Sequence, residues 1–261
     1  ATLLATSNIG WKNLTELVSR GFIEGQQLSI PCVQKEWVLE QSEDLIILLG
    51  QHSDVGKMLC SSNPQKAAPL LEAWIEKFGN RVYLALTRTD RAGEEDYIQE
   101  AVKLAAEYQI GVIAHNDVHF IKPEDFEAHE ARVCIADGYV LGDDKRPKNY
   151  NTEQYFKTAE QMTALFSDIP SAIENTYYIA QRCNVALQLG TYFLPDFPIP
   201  DGYTVDTYFD HLSRTGLEER LKHLYPVSER DEDWSEIRKP YDDRIKYEVD
   251  IILKMGFPGY F

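Results

Sequence analysis

Short apolar runs alternate with longer amphipathic segments along the first 190 residues. Runs of four or five apolar residues, separated by segments with apolar positions at helical spacing, are typical of parallel βα units. The pattern therefore predicts an open doubly wound sheet or a βα barrel, with functional side chains at the carboxyl ends of the strands. The apolar runs lie at residues 2–5, 45–49, 82–86 and 111–114.

The segments between these runs repeat apolar residues three and four positions apart, which predicts one buried face on each helix. Residues that favour helix starts, such as Asn and Pro, stand in front of several of them. A fifth strand is predicted at residues 185–189, where the apolar residues Val, Ala, Leu and Leu cluster. Helices are predicted to begin near Asn8, Asn63, Tyr97, Lys122 and Asp168.

The pattern changes after residue 190. Pro195, Pro198 and Pro200, followed by Gly202, predict an extended, irregular linker over residues 191–202. Residues 203–261 show helical spacing without a strand pattern. We therefore expect an α/β domain over residues 1–190 and a mainly helical tail that opens a second domain.

Charge and composition narrow the classes of function. With 42 acidic against 26 basic residues the net charge is −16, which disfavours strong binding to a phosphate backbone by this chain itself. No apolar run approaches the roughly 20 residues that a membrane span needs. The chain begins with Ala1 on a strand pattern, so we expect a piece of a longer protein. Free thiols in a reducing cytoplasm are predicted for the widely spaced Cys32, Cys60, Cys134 and Cys183.

Candidate chemistry follows the run at residues 111–114. His115, Asp117 and His119 alternate along the chain, and residues two apart in an extended chain point to the same side. Imidazole and carboxylate groups together suit zinc, manganese or iron. The alternative is a polar loop that follows a strand and binds no metal.

Polar residues also follow the other predicted strands, and in parallel βα units they would converge on one edge. Arg88 is a candidate phosphate ligand there, although an arginine in such a place often pairs with a carboxylate instead. The residues expected at this edge are Thr6, Ser7, Gly50, Gln51, His52, Asp54, Thr87, Arg88 and Thr89.

Two further groups have open interpretations. His129 and Glu130 lie on the helix after the histidine motif, where they could support a metal ligand or belong to a surface helix. Arg146 and Lys148 form a small basic patch. This patch could contact DNA or another domain, or it could lie in a solvated loop.

Four segments resemble the α subunits of bacterial DNA polymerase III, the replicative C-family polymerases. These segments are NDVHF at residues 116–120, RPKNY at 146–150, GTYFLP at 190–195 and MGFPGYF at 255–261. They occur in a consistent order over the whole chain, which makes the resemblance specific.

The resemblance implies that residues 1–190 are the later part of a PHP (polymerase and histidinol phosphatase) domain. That fold is a distorted βα barrel with a metal cluster, here incomplete at its N-terminal side. Residues 203–261 would begin the polymerase palm. The catalytic aspartates of the family are expected beyond Phe261, and its early histidine ligands before Ala1. The parent would be a nucleotidyltransferase that uses Mg²⁺ for template-directed DNA synthesis.

The resemblance carries over to few site residues. Asp117 and His119 match the Asp-x-His pair that ligates metal, Zn²⁺ or Mn²⁺, in members with an intact site. Gln51 stands where those members carry a cysteine ligand, and glutamine is a poor ligand for a soft metal. His52 is a weaker substitute because its side chain would point the other way, and His115 is not a family ligand. The metal site is therefore predicted to be incomplete.

Two functions remain open for this part of the chain. Relatives with eroded sites imply a scaffold that contacts the proofreading exonuclease subunit and other replicase subunits, with DNA bound through the parent. The alternative is a metal-dependent phosphoesterase or pyrophosphatase, in which clustered metals activate a water. Either protein would be cytoplasmic in a bacterium, and no contact with a membrane is expected.

Overall fold

The computed structural model describes residues 1–191, 193, 196–226, 228 and 233–261. The chain divides into two compact units, Ala1–Leu187 (unit 1) and Gln188–Phe261 (unit 2). Residues 192, 194 and 195 of the predicted linker lie outside the described residues, as does part of the connector between the two helices of the tail.

Unit 1 alternates strands and helices as predicted. Its strands are β1 (Thr2–Ala5), β2 (Gln26–Gln27), β3 (Ile30–Pro31), β4 (Leu45–Leu49), β5 (Val82–Thr87) and β6 (Gly111–His115). Its helices are α1 (Asn8–Ile23), α2 (Lys35–Glu40), α3 (Asp54–Leu59), α4 (Ala67–Phe78), α5 (Glu94–Tyr108), α6 (Phe126–Asp137), α7 (Ala159–Leu165) and α8 (Pro170–Arg182).

The main sheet has the strand order β1-β4-β5-β6. The three strands β4, β5 and β6 are parallel, as predicted, with Leu84 paired to Leu49 on one side and to Val112 on the other. The prediction is wrong for β1, which runs antiparallel to β4 and pairs Thr2 with Leu48. The α/β fold class is thus confirmed, with an antiparallel edge strand on a parallel sheet.

Because β1 runs antiparallel, the residues that follow it do not lie at the carboxyl ends of β4, β5 and β6. Thr6 follows β1 and donates both its backbone N–H and its hydroxyl to the carbonyl of Asp44, at 2.9 and 3.0 Å. Because Asp44 precedes β4, Thr6 and Ser7 lie at the opposite end of the sheet from Gly50. The expected convergence of Thr6 and Ser7 with the other strand-end residues is therefore wrong.

Both faces of the sheet are buried, which explains the continuous apolar runs. On one face Leu45, Ile47 and Leu49 join a large core formed with α3, α4 and α5. On the other face Ile46 and Leu48 pack in a smaller cluster that includes Ile179 of α8. Each fully buried leucine or isoleucine stabilises this arrangement by about 1.5–3 kcal/mol.

The predicted helix starts agree with the structure within a few residues. The first helix begins at Asn8, but its cap is Ser7, whose hydroxyl accepts the N–H groups of Ile9 and Gly10. A 3₁₀ turn over Pro64–Lys66 leads into α4. The short helices α2, α3 and α7 were missed because six or seven residues are too few to show a helical period.

The predicted fifth strand at residues 185–189 does not form. Its backbone is irregular, and Leu187 and Leu189 are 55% and 84% exposed. The preceding Asn184 N–H donates to the carbonyl of Thr6 at 3.0 Å, and the Ala186 N–H donates to Oδ1 of Asn8 at 3.0 Å. These two bonds tie the segment to the turn between β1 and α1, so the apolar run has no strand to pair with.

The start of α3 lies directly against the end of β4. Ser53 caps the helix by accepting the N–H of Gly56 at 3.0 Å and donates its hydroxyl to the carbonyl of Gly50 at 2.7 Å. A Cβ on Gly56 would lie 2.2 Å from the Gly50 oxygen. Only glycine therefore lets α3 approach the strand end and place Gln51 and His52.

Asp54 joins three helices next to this cap. Its carboxylate accepts from Nζ of Lys35 in α2 at 2.6 Å and from Nε1 of Trp74 in α4 at 3.2 Å. Burial raises the pKa of the Asp54 carboxyl, but the hydrogen bonds from Lys35 and Trp74 outweigh it and hold the pKa below the usual value of an aspartate.

Unit 2 contains two long helices, α9 (Val205–Leu224) and α10 (Trp234–Met255), as the sequence predicts. Leu221 of α9 and Val249 of α10 are buried. Thr204 caps α9, and Gly256 ends α10 in the left-handed conformation that favours glycine. No strand occurs among the residues described in this unit.

Two helical glycines should respond in opposite ways to alanine. Gly56→Ala forces a Cβ into the backbone of Gly50 and Gln51 and should destabilise the protein by about 1–3 kcal/mol. Gly216→Ala meets nothing within 4 Å in α9 and should stabilise it by up to about 1 kcal/mol. Urea denaturation followed by circular dichroism measures both. A stable Gly56→Ala protein would contradict the close contact between α3 and β4.

The low pKa of Asp54 predicts a loss of stability in acid. Since the folded-state pKa lies below the unfolded one, the contribution of Asp54 is present above the unfolded value and disappears as the pH falls through the folded value. Asp54→Asn should therefore be less stable than the wild type at pH 7. It should also lose less stability than the wild type between about pH 5 and pH 2. Denaturant titrations at several pH values test this, and parallel acid curves for the two proteins would refute it.

Candidate functional site

A cavity of about 170 Å³ opens at the carboxyl ends of the parallel strands. It is bordered by the first two residues of the chain as well as by residues from the strand-end loops. Of the residues predicted for this edge or for a metal site, the cavity brings six to one place: Gly50, Gln51, His52, Thr87, His115 and Asp117. The remaining lining residues are Ala1, Thr2, Leu48, Ser53, Ala85, Arg91 and Glu94.

Asp117 and His119 lie together after β6. Nε2 of His119 is 3.3 Å from Oδ1 of Asp117. The other carboxylate oxygen, Oδ2, accepts from Nε2 of Gln154 at 2.7 Å and lies 3.3 Å from Nη2 of Arg91. Both oxygens of Asp117 are thus engaged by neighbouring side chains.

His119 belongs to a small aromatic cluster. Its ring centroid lies 4.6 Å from that of Tyr150 and 5.4 Å from that of His129. His129 is buried, and burial, together with the charges of His119 and Arg132, lowers the pKa of its imidazole. His129 therefore packs behind His119 as a neutral ring, which matches the supporting position that the sequence left open.

The neighbouring Glu130 forms a buried ion pair. Its carboxylate accepts from the guanidinium of Arg146, which also donates to the carbonyl of Leu141 at 3.2 Å. Only 13% of the Arg146 side chain and 5% of the Glu130 side chain are exposed. Arg146 thus anchors the loop after α6, while Lys148 is exposed.

His115 is separate from the Asp117–His119 pair. Its Nδ1 lies 3.4 Å from the hydroxyl of Thr87, across the parallel pair of β5 and β6. Burial lowers the pKa of His115 more than the nearby Asp117 raises it. His115 is thus a largely buried, neutral imidazole at the wall of the cavity.

Gln51 reaches across to the loop after β5. Its Nε2 donates to the carbonyl of Gly93 at 3.4 Å. His52, the next residue, borders the cavity and also a second, more apolar cavity of about 480 Å³ between α1, α2 and α4. Gln51 therefore makes a contact within the protein, to the loop that also carries Arg91.

A buried carboxylate organises that loop. Glu94 is 5% exposed and accepts from the N–H and the hydroxyl of Thr89, both at 2.6 Å, and from the N–H of Arg91 at 3.3 Å. Asn151 donates to the carbonyl of Thr89 from the other side. The loop is tight, with Asp90 and Gly93 at φ values of 58° and 81°. It carries Arg91 to the carboxylate of Asp117.

Arg88 directly follows β5, as the first residue of the loop that carries Arg91. Its side chain contacts Glu95 and Asp168 and not Asp117. Its five N–H groups all have partners: two contact Glu95, two contact Asp168, and one donates to the carbonyl of Leu165. The hydrogen bonds to Asp168 are the main cause of its raised pKa. The structure therefore favours the carboxylate-paired interpretation over a phosphate ligand, because a phosphate would have to displace these partners.

The residues present do not form a complete metal site. No group of three or more His, Cys, Asp or Glu side chains suitable for an ion occurs within the described parts of the chain. Asp117 and His119 supply two ligand groups, and the cationic Arg91 lies against the same carboxylate. Zinc sites in proteins usually need three or four protein ligands.

Sequence reasoning missed three residues that shape the site: Arg91, Glu94 and Gln154. Gln154 is 37 residues from Asp117 along the chain, and Arg91 is 26 residues before it. No local spacing links them to the Asp-x-His motif. The only available signal was the acidic first turn of the helix after residue 90, which is also an ordinary feature of helix starts.

Residues 1–89 match the PHP domain family. These residues contain β1, β4 and β5, which form three of the four strands at the cavity.

Over its whole length, the chain is similar to bacterial DNA polymerase III subunits alpha. Identity is 49% with the protein of Pseudomonas fluorescens, 47% with that of Pseudomonas aeruginosa and 48% with that of Haemophilus influenzae. In each case all of this chain is covered, and it spans 22% of the relative's length. The resemblance predicted from the four sequence segments is confirmed. Within the described residues, every helix is too short or too polar to cross a membrane.

Glu94 should be essential to the loop that carries Arg91. Glu94→Gln replaces one acceptor oxygen by an amide group that faces the Thr89 donors, and should destabilise the protein by about 1–3 kcal/mol. The amide hydrogens of Thr89 and Arg91 should exchange faster with solvent. Glu95→Gln is the matched control, because Glu95 is exposed and its loss should change stability by at most about 1 kcal/mol. Equal effects of the two substitutions in hydrogen exchange and denaturation would contradict this role.

Proposed function

We propose that this chain is a segment of a replicative DNA polymerase α subunit in the bacterial cytoplasm. Residues 1–190 would be the later part of its PHP domain, residues 191–202 a linker, and residues 203–261 the start of the palm. The parent would synthesise DNA on a template with Mg²⁺, using aspartates outside this chain. The proposal is supported by 44–49% identity over the whole chain with α subunits from several bacteria.

Within that protein, unit 1 would act as a scaffold that contacts the proofreading exonuclease subunit and other replicase subunits. The state of Asp117 is the observation that supports this role. Its carboxylate is engaged by His119, Arg91 and Gln154, instead of facing a cluster of open ligands. Gln51 similarly makes a contact within the protein. A site whose polar groups are satisfied by one another contributes to rigidity without requiring a cofactor.

The net charge also supports a protein partner for this segment. At −16 the chain would be repelled by the phosphates of DNA, so the DNA contacts of the parent would come mainly from elsewhere. Arg88 and Arg146, two arginines considered as contacts for phosphate or DNA, are paired with carboxylates in this structure.

A metal-dependent phosphoesterase is the second candidate, and the cavity beside Asp117 is the observation that favours it. Two histidines and an arginine, His52, His115 and Arg91, border this space together with Asp117. Such a reaction would need metal-activated water. The two ligand groups at Asp117 and His119 do not complete a metal site, so we rank this candidate second.

The scaffold proposal predicts a complex that does not depend on metal. The full-length protein should bind the purified exonuclease subunit of the same bacterium, measured by isothermal titration calorimetry. The Kd should be the same with EDTA and with added Mn²⁺. Asp117→Asn should leave this Kd unchanged, because Asp117 faces other side chains of its own unit. Absence of a complex would refute the scaffold role, and absence of primer extension by the full-length protein would refute the polymerase assignment.

Hydrolysis of p-nitrophenyl phosphate and of pyrophosphate separates the two candidates. With Mn²⁺ or Zn²⁺ added, the scaffold role predicts no turnover above the protein-free rate. Metal-dependent turnover that disappears in Asp117→Asn would establish the phosphoesterase instead. Asp117→Asn thus distinguishes the two candidates, because it should not affect binding of the exonuclease subunit but should abolish any phosphoesterase activity.

A further inference from the structure

We propose that the guanidinium of Arg91 takes the place of a metal ion at Asp117, so that this PHP site is a metal-independent structural lock. The inference rests on the proposed scaffold function and says how such a scaffold holds its strand-end loops together. It follows from the disagreement between the residues present and a complete metal site.

The contacts of Asp117 are those expected of a carboxylate neutralised by the protein. Oδ1 faces Nε2 of His119 at 3.3 Å, while Oδ2 receives the Gln154 amide at 2.7 Å and faces Nη2 of Arg91 at 3.3 Å. About a third of each side chain in the Arg91–Asp117 pair is exposed, 30% and 32%. Partial burial strengthens the attraction between the charges compared with a fully solvated pair.

The backbone places Arg91 in this position. Its N–H donates to the buried Glu94 carboxylate at 3.3 Å, and its Nη2 donates to the carbonyl of Asn149 at 3.3 Å. Gln51 holds the same loop through the carbonyl of Gly93. The residue that departs from the metal-ligand pattern therefore supports the loop that carries the compensating positive charge.

This cation and a metal ion would compete for one site. A divalent ion bound at Asp117 would lie within a few ångströms of the guanidinium, and like charges at that distance repel each other. The Gln154 amide also directs its hydrogens at the carboxylate and offers an approaching cation no lone pair in that orientation. Metal binding would require Arg91 and Gln154 to leave Asp117.

The direct test is the response of the wild-type protein to metal. After dialysis against EDTA and then against Mn²⁺ or Zn²⁺, the full-length protein should hold no stoichiometric metal at this site by elemental analysis. Asp117→Asn should hold the same amount of metal as the wild type and show the same dependence of Tm on metal, since any ion at the polymerase aspartates would be bound by both proteins. An increase in Tm with one or more ions bound per chain, abolished by Asp117→Asn, would overturn the proposal. This result does not depend on whether any Arg91 variant folds.

Substitutions then test the role of the charge. In the full-length protein, Arg91→Gln should lower the Tm of the domain that contains unit 1 by about 2–4 °C, as expected for the loss of one partly buried ion pair in a domain of roughly 150–250 residues. Arg91→Lys should recover at least half of this loss without metal. Arg91→Gln combined with Asp117→Asn should be more stable than the sum of the single effects predicts, because the double variant leaves no unpaired charge. Additive effects would refute the pairing.

Arg20→Gln is the matched control for loss of an arginine. Arg20 is 31% exposed and pairs with Glu24 and Glu40, far along the chain from Asp117. Its loss should be additive with Asp117→Asn. Suppose that the effects of Arg91→Gln and Asp117→Asn on stability are also additive, while the exonuclease complex persists in EDTA. The lock at Asp117 is then refuted and the scaffold function stands. Non-additive effects without an exonuclease complex would refute the scaffold function and support the lock.

Discussion

Burial of the parallel sheet on both faces is the constraint on which the rest of unit 1 depends. The central strands β4 and β5 are apolar on both sides, so polar groups are confined to the strand ends. Leu84 and Leu86 are fully buried, and Thr87, the residue directly after Leu86, already lines the cavity. Every loop that leaves this edge must satisfy its own polar groups within a small space, since unpaired buried groups are strongly destabilising.

The protein meets this requirement with networks that join distant loops. Glu94 binds the Thr89 and Arg91 backbone, Arg88 binds Asp168, and Gln154 binds Asp117. A buried ion pair stabilises a fold only when further hydrogen bonds satisfy its remaining groups. Arg146, paired with the buried Glu130, also donates to the carbonyl of Leu141, while each N–H group of the largely buried Arg88 has an acceptor, although its carboxylate partners are exposed.

The proposed lock gives a physical reason why unit 1 would act as a scaffold without a metal ion. Similarity to DNA polymerase III subunits alpha extends over the whole chain, and the match to the PHP family covers β1, β4 and β5, three of the four strands at the cavity. Asp117 and His119 lie next to each other in this chain, with Nε2 of His119 3.3 Å from Oδ1 of Asp117. The proposed change lies in what neutralises the carboxylate: an arginine on a stiff loop needs no metal supply and cannot be removed by a chelator.

The sequence alone determined the features that depend on neighbours along the chain: the buried strands, the longer helices, and the pairing of Asp117 with His119. Tertiary structure decided the rest. β1 runs antiparallel because Thr6 bonds to Asp44, residues 185–189 form no strand because Asn184 and Ala186 bond to the first turn, and Asp117 meets Arg91. These outcomes depend on contacts between residues 26 to 178 positions apart, which periodicity and local spacing do not encode.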